Sequence, residues 1–235
     1  MNKLIIAFFC LIFFTVPIQA TIKPPESYLL KQKLIQYYNS GRYHHEFNQA
    51  IANAKKCLEQ QIHNGLNGKK PSLVLDIDDT ALSLYYYQRV LGFGAITSEE
   101  FASIMEETNQ PVIPATLNLY NFAKKHGLFV FFISGRHESW RAATIRSLQA
   151  AGYKNWDGLY LRPDNYPYPS AIPFKFGTRK LLLSEGYKII GNVGDQLSDL
   201  AGDDDIQCKF KLPNPYYFIA GQTEHFPLVE HVEFE

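Results

Sequence analysis

A short apolar run that leads directly into three carboxylates constrains this chain more than any other stretch. The run at 73–75 is followed by an Asp-x-Asp-Asp-Thr motif at 76–80, the pattern of a buried strand that ends in an acidic turn. Carboxylates this close repel one another, so a nearby cation has to compensate them. Their oxygen atoms are ligands that suit Mg²⁺. Because aspartate is also common in ordinary turns, the motif alone leaves a purely structural role open.

Strand-like and helix-like stretches alternate through the rest of the chain. Apolar stretches bounded by turn residues predict five strands, at 72–77, 128–133, 158–161, 188–191 and 206–212. Helices are predicted at 27–39, 43–65, 97–107, 114–125, 140–151 and 178–185. This alternation is typical of an α/β fold, with a central, mostly parallel sheet flanked by helices. The first two helices predict an N-terminal α-helical hairpin, and no large inserted cap is evident.

The first twenty residues have the pattern of an export signal. Lys3 supplies a positive charge, 4–16 is apolar, and the small residue Ala20 ends a cleavage-site pattern. The apolar run is short for a membrane span and ends at Pro17, which favours cleavage over an anchor. The mature protein would then be periplasmic or secreted, without a stable membrane anchor. We predict a signal peptide at 1–20, an N-terminal helical extension at 21–70, and a core domain with a C-terminal tail at 71–235.

The charge of the chain is balanced. It has 23 basic and 23 acidic residues, and no basic run stands out. This composition is not that of a protein that binds nucleic acid polymers or anionic membranes. We therefore expect a small-molecule substrate. The oligomeric state is left open, with a homodimer among the options.

Two cysteines, Cys57 and Cys208, remain after the predicted cleavage. In an exported protein they can form a disulfide. They lie on distant predicted elements, and sequence does not say whether their Cα atoms come within bridging distance. A disulfide and two buried thiols are both compatible with the pattern.

Chemically reactive side chains follow three of the predicted strands. Asp76 and Asp78 come after the first, Ser134 and Arg136 after the second, and Asp195 after the fourth. Because the carboxyl ends of parallel strands meet at one edge of the sheet, where ligands bind in such folds, these residues should converge there. This convergence favours a functional site over a set of unrelated turns.

The converging residues match the needs of phosphoryl transfer, which requires a nucleophile, neutralised phosphoryl charge and a metal ion. Asp76 can act as the nucleophile and form an aspartyl phosphate. Asp78 faces the same side of an extended chain and can serve as acid and base. The Ser134 hydroxyl and the Gly135 N–H suit phosphate oxygens. Lys175, placed before a predicted helix start, adds a positive charge.

A metal ligand is predicted next to these groups. Asp195 and Asp199 are four residues apart, so they share one face of a first helical turn. Asp195 could ligate the metal directly, with Asp199 behind it. The oxygen-rich composition of the site favours Mg²⁺ as the cofactor.

The motifs resemble those of haloacid dehalogenase (HAD) superfamily phosphatases, and most closely the secreted "DDDD" acid phosphatases of subfamily IIIB. That group holds bacterial class B and C acid phosphatases and plant vegetative storage proteins. The resemblance covers roughly 72–212. It rests on four motifs: Asp-Ile-Asp-Asp-Thr at 76–80, Ile-Ser-Gly-Arg at 133–136, Lys175 with Arg179, and Gly-Asn-Val-Gly-Asp-Gln-Leu-Ser-Asp-Leu at 191–200.

The resemblance implies a role for each matching residue. Asp76 would be the nucleophile, and Mg²⁺ would sit on its carboxylate, on the Asp78 main-chain oxygen and on Asp195. The other matching residues would bind the phosphoryl group or support the site: Ser134, Gly135 and Lys175 in the first role, and Asp199, Thr80, Arg136 and Arg179 in the second. Two positions depart from the family pattern, since Phe176 follows the lysine and Leu197 follows Gln196. They put local packing and substrate shape in doubt.

Two further assignments stay open. Arg136 can contact phosphate or organise its loop through carboxylates, and we favour the structural role. An aromatic stretch can stack on a substrate ring or belong to the core. Its residues are Tyr85, Tyr86, Tyr87 and Phe93. We expect the stretch 82–111 and the N-terminal helices to wall the site.

These observations predict an exported, Mg²⁺-dependent acid phosphatase that hydrolyses small phosphate monoesters, nucleotides included, through an aspartyl phosphate. Two alternatives are a non-catalytic storage or binding protein on the same fold and a phosphotransferase that passes the phosphoryl group to an alcohol.

Overall fold

A parallel five-stranded sheet forms the centre of the protein. The computed structural model describes residues 25–65, 70–94, 96–107, 110–202 and 205–217. The strands are β1 Lys70–Leu75, β2 Phe129–His137, β3 Gly158–Arg162, β4 Tyr187–Gly194 and β5 Cys208–Lys211. Their order in the sheet is β3-β2-β1-β4-β5, and every neighbouring pair is parallel. The α/β fold predicted from the alternation is confirmed. The predicted signal peptide and most of the C-terminal tail lie outside the described residues.

Helices cover both faces of this sheet. They are α1 Glu26–Asn39, α2 Arg42–His63, α3 Tyr85–Val90, α4 Ser98–Glu106, α5 Pro114–Lys125, α6 Arg141–Ala150, α7 Ile172–Ser184 and α8 Leu197–Leu200. Successive side chains of a strand point to opposite faces, and β1 accordingly supplies two separate cores. Leu73 and Leu75 pack in the larger core with α2 and α5, whereas Val74 packs with Leu182 of α7 on the other face.

The N-terminal hairpin shares the core of the sheet. Phe47, Ile51 and Leu58 of α2 are buried in the same cluster as the β1 side chains. A disulfide between Cys57 of α2 and Cys208 of β5 ties the hairpin to the edge strand across 151 residues of chain. Closing a loop of that length removes entropy from the unfolded chain worth about 5 kcal/mol. Of the two states that the sequence left open for these cysteines, the structure has the disulfide.

The structure corrects two predicted boundaries. Helix α7 begins at Ile172 and not at 178, because Pro173 occupies the helix start, where its missing N–H costs nothing. Lys175 therefore lies inside the first turn of α7 and not before it. Strand β2 continues past 133 to His137, since Ser134 still pairs with Leu161 of β3 before the register shifts.

Candidate active site

A cavity of about 510 Å³ opens at the carboxyl edge of the sheet and collects the predicted side chains. Its lining includes Asp76 and Asp78 after β1, Ser134 and Gly135 of β2, and Asp195 after β4, as the strand order requires. It also includes Arg136 and Lys175. The backbone N–H of Asp76 donates to the Val193 carbonyl at 3.1 Å, which extends the β1–β4 pairing to the predicted nucleophile. Residues from three strand ends are thus brought to one site.

The Lys175 ammonium is buried between two carboxylates. Its Nζ donates to Asp76 Oδ1 at 2.7 Å and to Asp199 Oδ1. Burial by itself lowers the pKa of Lys175, but the Asp199 and Asp76 charges outweigh it, and the pKa is raised. Lys175 is therefore a permanent cation at the predicted phosphoryl position.

Asp76, Asp195 and Asp199 form a buried carboxylate cluster. Each offers an oxygen atom that lies within 4.8 Å of the other two. Burial, together with repulsion from Asp199, raises the pKa of Asp76 and of Asp195. Three carboxylates with Lys175 as their buried partner still carry excess negative charge, which a divalent cation would neutralise. The cluster fits the divalent metal ion that HAD phosphatases use.

Four donors orient the Asp195 carboxylate. Thr80 Oγ1 donates to Oδ1 at 3.2 Å. Oδ2 accepts from Gln196 Nε2 at 2.7 Å, from Asn214 Nδ2 at 2.6 Å and from the Tyr217 hydroxyl at 3.3 Å. Sequence reasoning missed Asn214 and Tyr217, because they follow β5 and belong to no recognisable motif. Donors of this kind fix the direction in which a carboxylate presents its lone pairs to a metal.

Asp199 is held by its own helix and by the neighbouring strand. Its Oδ2 accepts from the Gln196 N–H at 2.8 Å, while its carbonyl oxygen accepts from Arg179 Nη1 at 2.9 Å and Asn192 Nδ2 at 2.7 Å. A Cβ at Gly194 would lie 2.2 Å from Asp199 Oδ2, so this close approach requires glycine. With both carboxylate oxygens bonded inside the protein, Asp199 is placed to support the site, and Arg179 to fix α8.

Asp78 points to a different cation. Arg136 Nη2 donates to its Oδ1 at 2.7 Å and Nε to its Oδ2 at 3.0 Å, a bidentate pair. The guanidinium is itself fixed by Gln110 Oε1 at 2.8 Å and Thr144 Oγ1 at 3.3 Å. Arg136 thus organises the loop through a carboxylate, the role that the sequence favoured. Gln110 lies outside the four motifs, and no sequence signal pointed to it.

Ser134 and Gly135 line the same cavity. Ser134 Oγ accepts from the Arg136 N–H at 3.2 Å, so its hydroxyl proton is available for an oxygen atom in the cavity. The residues predicted to touch the phosphoryl group therefore line one end of the cavity, with Lys175 beside them.

The aromatic pocket expected from 85–93 is not formed by those residues. None of the four predicted side chains lines the cavity; instead Tyr85 stacks on Tyr38 with ring centroids 3.4 Å apart, and Phe93 stacks on Tyr216. Tyr86 is 64% exposed, and the Tyr87 hydroxyl donates to Glu107. The four rings point in different directions, and only Tyr85 stacks on a ring of the N-terminal hairpin. The aromatic side chains that do line the cavity are Phe101 and Tyr217.

The walls of the cavity come from fewer segments than expected. Residues of 84–101 line it, as the prediction for 82–111 required, but the described N-terminal helices contribute none of its lining. Those helices pack against the core and against α3 instead, where they carry the stacked tyrosines.

The two departures from the family pattern are accommodated differently. Phe176 fits over Gly202, where a Cβ would lie 2.2 Å from the ring, and Gly202 also has a φ of 119° that favours glycine. Leu197 begins the short helix α8 and is half-buried, and the neighbouring Gln196 bonds Asp195. Neither departure displaces a side chain of the carboxylate cluster.

The parallel sheet and the acidic cluster at its carboxyl edge define the HAD class. Residues 21–220 match the family described as HAD superfamily, subfamily IIIB (acid phosphatase). The chain belongs to this family, and the resemblance seen in its motifs is confirmed.

Individual relatives agree with this assignment. Acid phosphatase 1 of Solanum lycopersicum is 36% identical over 148 residues, 62% of this chain and 58% of that protein. Vegetative storage protein 2 of Arabidopsis thaliana is 34% identical over 149 residues, 62% of this chain and 56% of that protein. The chain thus spans less than two thirds of the length of these relatives. The class C acid phosphatase from Bacillus anthracis shares the fold, with a TM-score of 0.66 at 21% identity over 80% of this chain and 86% of the other.

Among the described helices, none is both long enough and apolar enough to cross a bilayer.

Proposed function

We propose that the chain is an exported acid phosphatase that hydrolyses small phosphate monoesters with Mg²⁺ as its cofactor and Asp76 as its nucleophile. One observation carries the proposal: the Asp76 carboxylate lies between a buried cation, Lys175, and a metal-competent cluster with Asp195 and Asp199. A binding protein has no need for a nucleophile in this setting, since burying these charges costs several kcal/mol per ion before pairing.

In the first chemical step, an Asp76 oxygen attacks the phosphorus atom and the ester P–O bond breaks. Asp78 gives its proton to the departing oxygen, so the alcohol leaves neutral. The Ser134 hydroxyl, the Gly135 N–H and the Lys175 ammonium donate to the phosphoryl oxygens, where charge builds up in the transition state. The product of this step is an aspartyl phosphate on Asp76.

In the second step, Asp78 removes a proton from a water molecule, which attacks the phosphorus. The P–O bond to Asp76 breaks and inorganic phosphate is released, with the nucleophile regenerated. Asp78 then holds the proton that it needs for the next cycle.

The residues that would hold Mg²⁺ are the Asp76 and Asp195 carboxylates and the Asp78 main-chain oxygen, with Asp199 in support. When bound, the ion would neutralise phosphoryl charge and orient the group for in-line attack. Hard oxygen ligands without thiolate or imidazole favour Mg²⁺ over Zn²⁺.

The test is a hydrolysis screen of phosphate monoesters with the purified chain, nucleotides among them, in Mg²⁺ and in excess EDTA. Release of phosphate in Mg²⁺, its loss in EDTA and its return with added Mg²⁺ are expected. Full turnover in EDTA contradicts the metal assignment. Vegetative storage proteins are among the relatives. If no ester is hydrolysed, the result favours the alternative that the chain is a non-catalytic storage protein.

Transfer to alcohols is tested in the same assay. With glycerol added, a phosphatase releases inorganic phosphate in proportion to the alcohol product of the substrate. A phosphotransferase releases less phosphate than alcohol and accumulates glycerol phosphate.

Export is proposed from the leader pattern at 1–20, and the Cys57–Cys208 disulfide supports it, since disulfides persist in oxidising compartments. Intact-mass measurement of protein from its native host should give a chain that begins at Thr21. A species that retains Met1 and is found only in the cytoplasm would refute the proposal.

A further inference from the structure

Arg162 lines the same cavity as the catalytic groups but is not part of the phosphoryl end. It is the last residue of β3, the edge strand beyond β2, so its guanidinium reaches the site from the side. Arg162 lies outside the four family motifs and takes no part in the proposed phosphoryl transfer.

The guanidinium of Arg162 is held without a counter-charge. Its Nη2 lies 2.8 Å from His137 Nε2, and its central carbon lies 5.9 Å from the centroid of the Tyr166 ring. Because a guanidinium can only donate, His137 Nε2 accepts and the imidazole carries its proton on Nδ1, towards Asp164. Among the described residues no carboxylate forms an ion pair with Arg162, and its buried Nε has no hydrogen-bond partner.

The other two cations of the cavity differ in this respect. Lys175 is paired with Asp76 and Asp199, and Arg136 with Asp78. Both are committed to carboxylates, and no carboxylate neutralises Arg162 in the described part of the chain. A guanidinium that lines a cavity, is fixed by a neighbouring imidazole and has no carboxylate partner among the described residues is a site for an anion.

Apolar side chains line the same cavity as Arg162. Leu84, Ile96, Phe101 and Pro169 line it together with Arg162. An apolar surface beside one fixed positive charge suits an organic group that carries its own negative charge.

We propose that Arg162 binds a second anionic group on the substrate, borne by the leaving alcohol. The substrate class is then phosphate monoesters whose alcohol part combines an apolar segment with a carboxylate or a comparable anion. The inference rests on the proposed function and adds the chemistry that selects among monoesters. Arg162 is a specificity-determining residue with no role at the phosphorus atom.

The experiment compares two matched esters, 4-carboxyphenyl phosphate and its neutral isostere 4-carboxamidophenyl phosphate, at fixed pH and ionic strength in Mg²⁺. The measured quantity is the ratio of their kcat/KM values, which cancels any change in the active fraction of a variant. A hydrogen bond to a charged group predicts a preference of about 10- to 100-fold for the carboxylate in the wild type.

Three variants locate the preference. Arg162→Gln should lower the ratio about 10- to 100-fold, to near unity. Arg162→Lys, which keeps the charge but not the planar fork, should retain part of it. Arg146→Gln removes an exposed arginine of α6 that does not line the cavity, and it should keep the wild-type ratio.

Each outcome decides the question. An equal ratio in the wild type and in Arg162→Gln overturns the inference, as does an equal drop in Arg146→Gln, which would indicate a general effect of charge. Failure of the wild type to hydrolyse either ester would instead count against the proposed phosphatase function. If the wild type hydrolyses both esters without a preference, the phosphatase function is supported and the proposed selection of anionic leaving groups by Arg162 is wrong.

Discussion

The two ends of the cavity are built in different ways. At the phosphoryl end, Asp76, Lys175 and Asp199 are almost fully buried, and each bonds at least one of the others. At the leaving-group end, Phe101 and Arg162 are only partly buried. One end is a closed network of charges, and the other is a wall with a single charged group.

This difference follows from the cost of burying charge. Moving an ion out of water costs several kcal/mol of hydration free energy unless the ion is paired and hydrogen-bonded. The charged atoms of a buried network therefore need ion-pair or hydrogen-bond partners. Replacing one member exposes the others to that cost. A partly exposed wall has no such constraint, and its residues can change with the substrate while the chemistry stays the same.

The largest effect is expected at the phosphoryl end, when the proposed nucleophile is removed. Asp76→Asn keeps the shape of the side chain but forms no aspartyl phosphate, and kcat should fall on the order of 10⁴- to 10⁶-fold, as for other nucleophile deletions. Steady-state kinetics with p-nitrophenyl phosphate in Mg²⁺ measure the loss. Glu59→Gln, on the exposed face of α2, is the matched carboxylate control and should keep wild-type kcat. An Asp76→Asn variant with more than a few per cent of wild-type activity contradicts the assignment.

The second prediction separates Asp78 from Asp76. Asp78→Asn should still be phosphorylated by p-nitrophenyl phosphate, because p-nitrophenolate leaves without a proton, but the intermediate should hydrolyse about 10²- to 10⁴-fold more slowly. With an alkyl phosphate the first step should fail as well. Rapid-quench kinetics should show a burst near one equivalent of p-nitrophenol, with trapped phosphoprotein.

The contrary result is equally informative. The partly buried Asp78 and the buried Arg136 form a bidentate pair, so Asp78→Asn also weakens the support of the β2 loop. No burst, with equal losses on aryl and alkyl substrates, would show that Asp78 assembles the site and does not transfer protons.

The phosphoryl end could be predicted from sequence, and the reason is its construction. Buried strands end at fixed residues, and parallel strands bring those ends together, so Asp76, Ser134 and Asp195 could be placed on one edge without coordinates. The spacing predicts that Asp195 and Asp199 share a helical turn; in the structure α8 begins only at Leu197, and the extended Gln196 lies between Asp195 and the helix, yet both carboxylates still join the cluster.

The leaving-group end could not be predicted in this way. The sequence left the rings at 85–93 as either cavity or core residues, and only the fold shows that Tyr85 of α3 stacks on Tyr38 of the N-terminal hairpin. Asn214 and Gln110 reach the site from loops that share no spacing with it. Such contacts depend on packing between distant segments, which a single sequence does not encode locally.

The third prediction uses the excess negative charge of the carboxylate cluster. Burial and Asp199 raise the native pKa of Asp76 and Asp195 above the ordinary 3.8, so the folded, metal-free chain binds protons more tightly than the unfolded chain. The contribution of these two carboxyl groups to the stability of the metal-free chain should therefore rise as the pH falls through the raised native values towards 3.8. Mg²⁺ competes with these protons, so the stabilisation by Mg²⁺ should be greatest at neutral pH and vanish on acidification.

Thermal unfolding with Mg²⁺ and with EDTA, across a pH series, tests the linkage. At a free Mg²⁺ concentration of about 100 times its Kd, binding should raise the free energy of unfolding by about 2.7 kcal/mol. Asp195→Asn should be more stable than the wild type at neutral pH without metal and should lose most of the Mg²⁺ effect. An Mg²⁺ effect that grows as the pH falls would contradict the sign of these pKa shifts.

The smallest effect is expected at the apolar wall, and it sharpens the contrast between the two ends. Phe101 lines the cavity and contacts Trp140 with ring centroids 5.3 Å apart, so Phe101→Leu keeps an apolar side chain there but removes the ring. If the ring stacks on an aromatic leaving group, kcat/KM for phenyl phosphate should fall about 2- to 10-fold relative to glycerol phosphate.

Two tyrosine variants serve as controls. Tyr86→Ala removes an exposed ring outside the cavity and should leave kcat/KM unchanged for both substrates. Tyr85→Ala, which removes a core ring, should lower the free energy of unfolding by about 3–5 kcal/mol without altering the substrate ratio. Because the ratio compares two substrates on the same protein, it responds to contact with the leaving group and not to stability. If the ratio of the two kcat/KM values shifts in Tyr85→Ala and not in Phe101→Leu, the ring that contacts the leaving group belongs to α3 and is not Phe101.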